Sequence, residues 1–167
     1  YSEAHCNLGI TLKKVGRFEE AEASYRQAIE LKPDFPEAHY NLGATLLKLG
    51  RLEEAEASYR EAILLKPDFS GAHSNLGNTL QELGRLKEAE VSYRQAISLK
   101  TDYTDAHYNL GITLKLLGRL KEAEASCRRA ITLKPDYAEA FSNLGNIIKE
   151  LGRLEEAEVC FRQAMVF

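Results

Sequence analysis

Apolar residues recur along the chain at spacings of three and four, and the pattern as a whole recurs every 34 residues. Over residues 36–49, Ala38, Leu42, Thr45, Leu46 and Leu49 share one face of a helix. Over residues 52–65, Leu52, Ala55, Tyr59, Ala62, Ile63 and Leu65 do the same. Glycines at 9, 43, 77, 111 and 145 repeat this frame without an insertion, and Gly-Arg pairs follow at 16, 50, 84, 118 and 152. The spacing predicts five repeats, 2–35, 36–69, 70–103, 104–137 and a truncated 138–167, each made of two amphipathic helices. One such pair cannot bury its own apolar stripe, whereas stacked neighbours can. The expected fold is all-α, a solenoid of helix-turn-helix repeats forming a single domain over 1–167.

The turns carry their own signals. Asp34 and Glu37 have the spacing of a capping box, and Asp102/Asp105 and Asp136/Glu139 repeat it. At Asp68 the partner slot is Gly71, so the first helix of repeat three is expected to start least stably. Pro36 suits a first helical turn, and Gly50 suits the positive φ that ends a helix. Thr101 replaces the proline found at 33, 67 and 135, which predicts a less rigid junction. Glu53, Glu54 and Glu56 crowd the first turn of the second helix, where the helix dipole favours negative charge. Gly43 and Ala55 are places for helix backbones to approach closely. Ala62 leaves room for the next repeat, with Tyr59 filling the gap.

Composition narrows the function classes. A net charge of −3 without a basic cluster argues against a nucleic-acid partner. No apolar run is long enough to span a membrane, and no N-terminal segment reads as a signal peptide. Cys6, Cys127 and Cys160 are odd in number and form no C-x-x-C pair. They read as free thiols of a reducing compartment, and the expected location is cytoplasmic. The chain starts just before one repeat and stops inside another, as expected of an excerpt from a longer array.

Leu42-Gly43, Ala55, Tyr59, Ala62 and Pro67 within 34 residues strongly resemble the tetratricopeptide repeat (TPR), and the resemblance covers essentially the whole chain. The fourth position, usually large, is His5, His39, His73 and His107, then Phe141. The repeats are similar to those in front of O-linked N-acetylglucosamine transferases and to consensus-like bacterial arrays. The resemblance implies a right-handed superhelix with first helices lining a concave groove and second helices on the convex side. It also implies that the second, fifth, sixth, ninth, twelfth and thirteenth positions face that groove. In repeat two these are Glu37, Tyr40, Asn41, Ala44, Leu47 and Lys48. The sixth position is always asparagine: Asn7, Asn41, Asn75, Asn109 and Asn143. The fifth varies through Cys6, Tyr40, Ser74, Tyr108 and Ser142, and the ninth through Ile10, Ala44, Asn78, Ile112 and Asn146. An asparagine amide offers donors and an acceptor that match a peptide group, although it also suits a bond to a neighbouring helix. The candidate peptide-binding residues are the five asparagines with Tyr40, Tyr108, Asn78, Asn146, Lys14 and Lys48. Relatives that clamp acidic chaperone tails carry a basic second position. Here it is Glu3, Glu37, Gly71, Asp105 or Glu139, so that ligand is not expected.

No catalytic constellation emerges. The histidines recur about one helix-packing distance apart, on the order of 10 Å, too far for a shared metal, and each is expected to pack within its own repeat. No nucleophile–base pair and no phosphate loop appears, and no cofactor is implied. The expected function is a non-enzymatic scaffold that holds an extended peptide or a partner helix in the groove. A second reading is the substrate-recruiting part of a larger enzyme such as a glycosyltransferase. A third is end-to-end self-association through uncapped terminal repeats, where Val159, Met165, Val166 and Phe167 leave an apolar end.

Overall fold

One glycine sets the turn between the two helices of each repeat. Gly50 has φ +74°, its N–H donates to the Leu47 carbonyl (3.1 Å), and the Arg51 N–H donates to Leu46 (3.0 Å). This closes the helix as a Schellman motif. The glycines at 16, 84, 118 and 152 adopt the same conformation. An L-residue placed there would cost roughly 1–2 kcal/mol.

The computed structural model describes residues 1–167 and contains ten helices and no strand. The chain divides into two compact units, Tyr1–Gly84 and Arg85–Phe167. In the first, α1 (Ser2–Lys14), α2 (Phe18–Leu31), α3 (Pro36–Lys48), α4 (Leu52–Leu65) and α5 (Ser70–Glu82) each pack on the next. The first helices α1, α3 and α5 also touch in succession. In the second, α6 (Leu86–Leu99), α7 (Thr104–Leu116), α8 (Leu120–Leu133), α9 (Ala138–Glu150) and α10 (Leu154–Ala164) follow the same scheme, with α7 against α9.

The core lies where these pairs meet. Leu46, Leu80 and Leu114 are buried, as are the alanines at 28, 62, 96 and 130. Thr45, Thr79 and Thr113 are buried beside them, and each hydroxyl donates to the asparagine carbonyl one turn back (2.8–2.9 Å). Leu65 is exposed and Ser58 takes a buried place on the second helix instead, its hydroxyl donating to the Glu54 carbonyl. Gly43 does not admit a neighbouring backbone as the spacing suggested. It admits the ring of Tyr59: a Cβ at Gly43 would lie 2.9 Å from Tyr59 Cε1. Gly9 lies against Tyr25, Gly111 against Cys127 and Gly145 against Phe161 in the same way.

The capping boxes do not form. α3 begins at Pro36, so Phe35 is its N-cap and Asp34 falls one residue outside the motif. No helix in the chain has a side-chain cap bond. The reason given for a weak start to repeat three therefore falls away. The histidines also depart from expectation. His39 Nε2–H donates to the Pro33 carbonyl (3.0 Å), and His73 and His107 reach Pro67 and Thr101 likewise. Each histidine thus ties its repeat to the one before, because six residues back along the turn is where the preceding helix leaves a free carbonyl. Thr101 accepts this bond just as proline does.

The glutamates of the second helices do more than answer the helix dipole. Glu22, Arg26, Arg51 and Glu54 form a closed ring of four ion pairs, at 2.8, 3.2, 2.6 and 2.7 Å, that joins α2 to α4. Glu90, Arg94, Arg119 and Glu122 repeat the ring between α6 and α8. Glu124, Arg128, Arg153 and Glu156 repeat it between α8 and α10. Burial raises the affinity of the Glu124 carboxyl for a proton, but hydrogen bonds from Arg153 and Arg128 outweigh it and hold the group below the usual carboxylate range. Glu90 behaves alike between Arg94 and Arg119.

Gly43→Ala is expected to lower the melting temperature. Overpacking against the locked Tyr59 ring costs about 1–3 kcal/mol, which offsets the ~1 kcal/mol gain in helix propensity. Gly71→Ala is the control, since its Cβ would meet nothing closer than 3.5 Å, and it should be neutral or stabilising. The depressed carboxyls fix the sign of the acid response. Their contribution is complete above the unfolded glutamate pKa of about 4.3 and fades as pH falls through the lower folded value. Thermal melts between pH 6 and about pH 3 should therefore show falling stability, with a shallower fall in Glu124→Gln.

Candidate functional site

The most chemically varied surface lies on the first helices, where successive elements bring a tyrosine, an asparagine, a second aromatic ring and a lysine together. Tyr40 projects from α3. Its ring lies 4.7 Å from that of Phe69, which ends the following turn, and 6.0 Å from Tyr59. Its hydroxyl accepts a hydrogen bond from Asn75 Nδ2 on α5 (3.2 Å). The Lys66 ammonium stands 5.0 Å from the Phe69 ring centre. The second unit repeats the group. Tyr108 on α7 lies 4.8 Å from Tyr137, its hydroxyl accepts from Asn143 Nδ2 on α9 (2.7 Å), and Lys134 stands 4.6 Å over Tyr137. Burial raises the Tyr108 pKa, the Glu139 and Cys127 charges add to this, and the Asn143 bond opposes it. Both tyrosines are half-buried, so part of each ring stays open. Beside Tyr40, Gly71 keeps the approach clear, because the nearest atom to a Cβ there would be the Tyr40 hydroxyl at 3.5 Å.

Such a surface presents flat apolar plates, an oriented amide and a nearby cation. It holds no group of three or more His, Cys, Asp or Glu placed for a metal ion. No helix is long and apolar enough to cross a membrane.

Models of the tetratricopeptide repeat match residues 6–72, 104–137 and 138–165, and a further TPR repeat model matches 78–118. The chain belongs to the tetratricopeptide repeat family. Solved TPR structures are similar over nearly its whole length. A crystal structure of MamA is 25% identical over 94% of this chain and 92% of its own, with a TM-score of 0.88. YrrB, described as a TPR protein with an unusual peptide-binding site, is 25% identical over 96% and 83%, with a TM-score of 0.82. TTC0263, a thermophilic TPR protein of Thermus thermophilus, is 27% identical over 99% and 90%, with a TM-score of 0.75. No curated protein sequence matches the chain.

Within this TPR array the asparagines differ in what they do. Asn75 and Asn143 donate to tyrosines of the preceding repeat. Asn41 donates to the Glu37 carbonyl (2.9 Å) and accepts from the Lys13 ammonium (3.1 Å), a lysine whose pKa burial pushes down. Asn7 is exposed, and Asn109 is half-buried. Asn78 and Asn146 are half-buried, and Lys14 and Lys48 are exposed. The structure therefore brings Tyr40 to Asn75 and Tyr108 to Asn143. Phe69, Tyr137, Lys66 and Lys134 complete the group and were not among the residues singled out from sequence. Their signal was present: an aromatic closes repeats one to four at 35, 69, 103 and 137, three residues after a lysine. Removing the Tyr108 hydroxyl by Tyr108→Phe should cost about 0.5–1.5 kcal/mol in chemical denaturation. The variant should leave helicity unchanged by circular dichroism.

Proposed function

We propose that the chain is a non-enzymatic interaction module that holds an extended peptide of a partner protein along its first helices. The observation that carries this reading is the recurrence of one half-open constellation, Tyr40–Asn75–Phe69–Lys66 and Tyr108–Asn143–Tyr137–Lys134, in both units. Half-buried aromatic rings offer apolar contact at low entropic cost, as hot-spot residues do. Bonding an asparagine N–H to a tyrosine fixes the amide plane before a ligand arrives, so little ordering remains for binding to offset. The amide carbonyl is then aimed for a peptide N–H, and the lysines answer a carboxylate or a backbone carbonyl. Membership of the TPR family supports a role in protein binding. The peptide-binding site described for YrrB supports a peptide as the ligand class. Extended binding surfaces are what stacked repeats provide.

A phage-displayed library of linear peptides, panned on the chain and followed by titration of the selected peptide, tests the proposal. Tyr40→Ala with Tyr108→Ala, and separately the triple change of Asn41, Asn75 and Asn109 to Ala, should each weaken binding by at least about tenfold with helicity retained. Selection of no peptide, or affinity unmoved in both variants, would sink the reading.

A further inference from the structure

The ionic rings of the interior have unfinished counterparts at the two ends of the chain. Glu158 and Arg162 on α10 occupy, in the 34-residue frame, the places of Glu22/Arg26, Glu90/Arg94 and Glu124/Arg128. They pair with each other at 2.6 Å. Arg17 and Glu20 at the start of α2 occupy the places of Arg51/Glu54, Arg119/Glu122 and Arg153/Glu156, and they too pair with each other. Each end is half of the ring that joins repeats elsewhere, and the halves are complementary in charge.

The apolar surface follows the same division. Leu8 is 50% exposed, whereas its counterparts Leu42, Leu76, Leu110 and Leu144 are at most 7% exposed. Thr11 is exposed where Thr45, Thr79 and Thr113 are fully buried. At the other end a cavity of about 430 Å³ is lined by Lys149, Leu154, Glu158, Phe161, Arg162 and Met165. Lys149 stands where Lys13 stands, and Lys13 holds the amide oxygen of Asn41. The counterpart of Asn41 in the first repeat is Asn7, which is exposed.

We propose that the open face of α10 receives α1 and the start of α2 of a second copy of this chain. The ring of the junction is Glu158–Arg162 with Glu20–Arg17 of the second copy. Leu8 of that copy enters the cavity, and Lys149 holds its Asn7. The charge order matches that of the interior rings, and the apolar residues are the ones each interior junction buries. The contact is head-to-tail, so each added copy leaves one end of each kind open, and mass should grow with concentration. It goes beyond peptide binding and uses none of the aromatic residues of that site.

Sedimentation equilibrium of the 167-residue chain tests this. Average mass is expected to rise above the 18.7 kDa of one chain as concentration increases, and to fall back with added salt. Glu158→Arg with Arg162→Glu, and separately Arg17→Glu with Glu20→Arg, should each weaken association by at least about tenfold, because like charges then face each other. Mixing the two variants restores opposite charges at both kinds of contact and should restore association. Tyr40→Ala with Tyr108→Ala should leave the mass profile unchanged. A mass of one chain at every concentration assigns the face to another occupant and overturns the proposal. So does association that the charge exchanges leave intact, or a mixture that stays monomeric.

Discussion

The closeness of the two helices in each repeat depends on one contact, an aromatic ring laid on a glycine. Tyr25 on Gly9, Tyr59 on Gly43 and Phe161 on Gly145 leave no room for a methyl group. That closeness decides where the next repeat can dock, and hence where His39, Tyr40 and Arg51 find their partners. The contact is kept at some expense. The Tyr25 and Tyr59 hydroxyls are buried without a hydrogen-bond partner, a penalty of roughly 1–3 kcal/mol each. Ring volume therefore outweighs polar satisfaction in this slot. Phe161 fills it without a hydroxyl, and Cys127 fills it with a thiol whose pKa burial pushes up to about 12. A thiol so rarely ionised at neutral pH is a packing atom and not a nucleophile.

Within repeats the forces are apolar; between repeats a layer of directed polar contacts is added. Histidine ties one turn to the next helix, tyrosine accepts from the following asparagine, and the four-membered rings join second helices. A single exposed ion pair contributes little, and closure into a network is what makes it count. Each arginine at the head of a second helix, such as Arg51, meets one carboxylate of its own helix and one of the preceding repeat. Its fork geometry satisfies both at once, a task a lysine ammonium performs poorly. The layer thus sets the angle at which helices meet, while the ring-on-glycine contact sets their distance.

The helices, their turns and the closing glycines were legible because each follows from a local period or from one residue's backbone freedom. The second helix over 52–65 agrees with α4 in both bounds. The capping boxes misled because Asp34 and Glu37 have the right spacing in the wrong register: Pro36 opens the helix, so the cap is Phe35. The rings were not legible inside a single repeat, since Glu22 and Arg51 lie 29 residues apart. Laid on the 34-residue frame, the same residues align, and the constraint becomes visible only as a relation between neighbouring copies. The asparagines posed a different difficulty. An amide suits a ligand and a neighbouring helix equally well, and only the position of the Tyr40 and Tyr108 hydroxyls shows that Asn75 and Asn143 serve the second.

Those two tyrosines expose a second, longer period. Core slots recur every 34 residues, but the fifth position recurs every 68: tyrosine at 40 and 108, serine at 74 and 142. The ninth position follows the same rule, with asparagine at 78 and 146. Packing cannot require this, because the backbone frame of each repeat is the same. What it does is place one Tyr–Asn bond in each unit, in each case joining the first helices of consecutive repeats. The repeating element of the proposed peptide surface is then a pair of repeats, not a single one. A ligand that reads both constellations must carry two anchors of its own, spaced to match. Length of the bound segment, more than the identity of any one side chain, becomes the natural source of selectivity in this array.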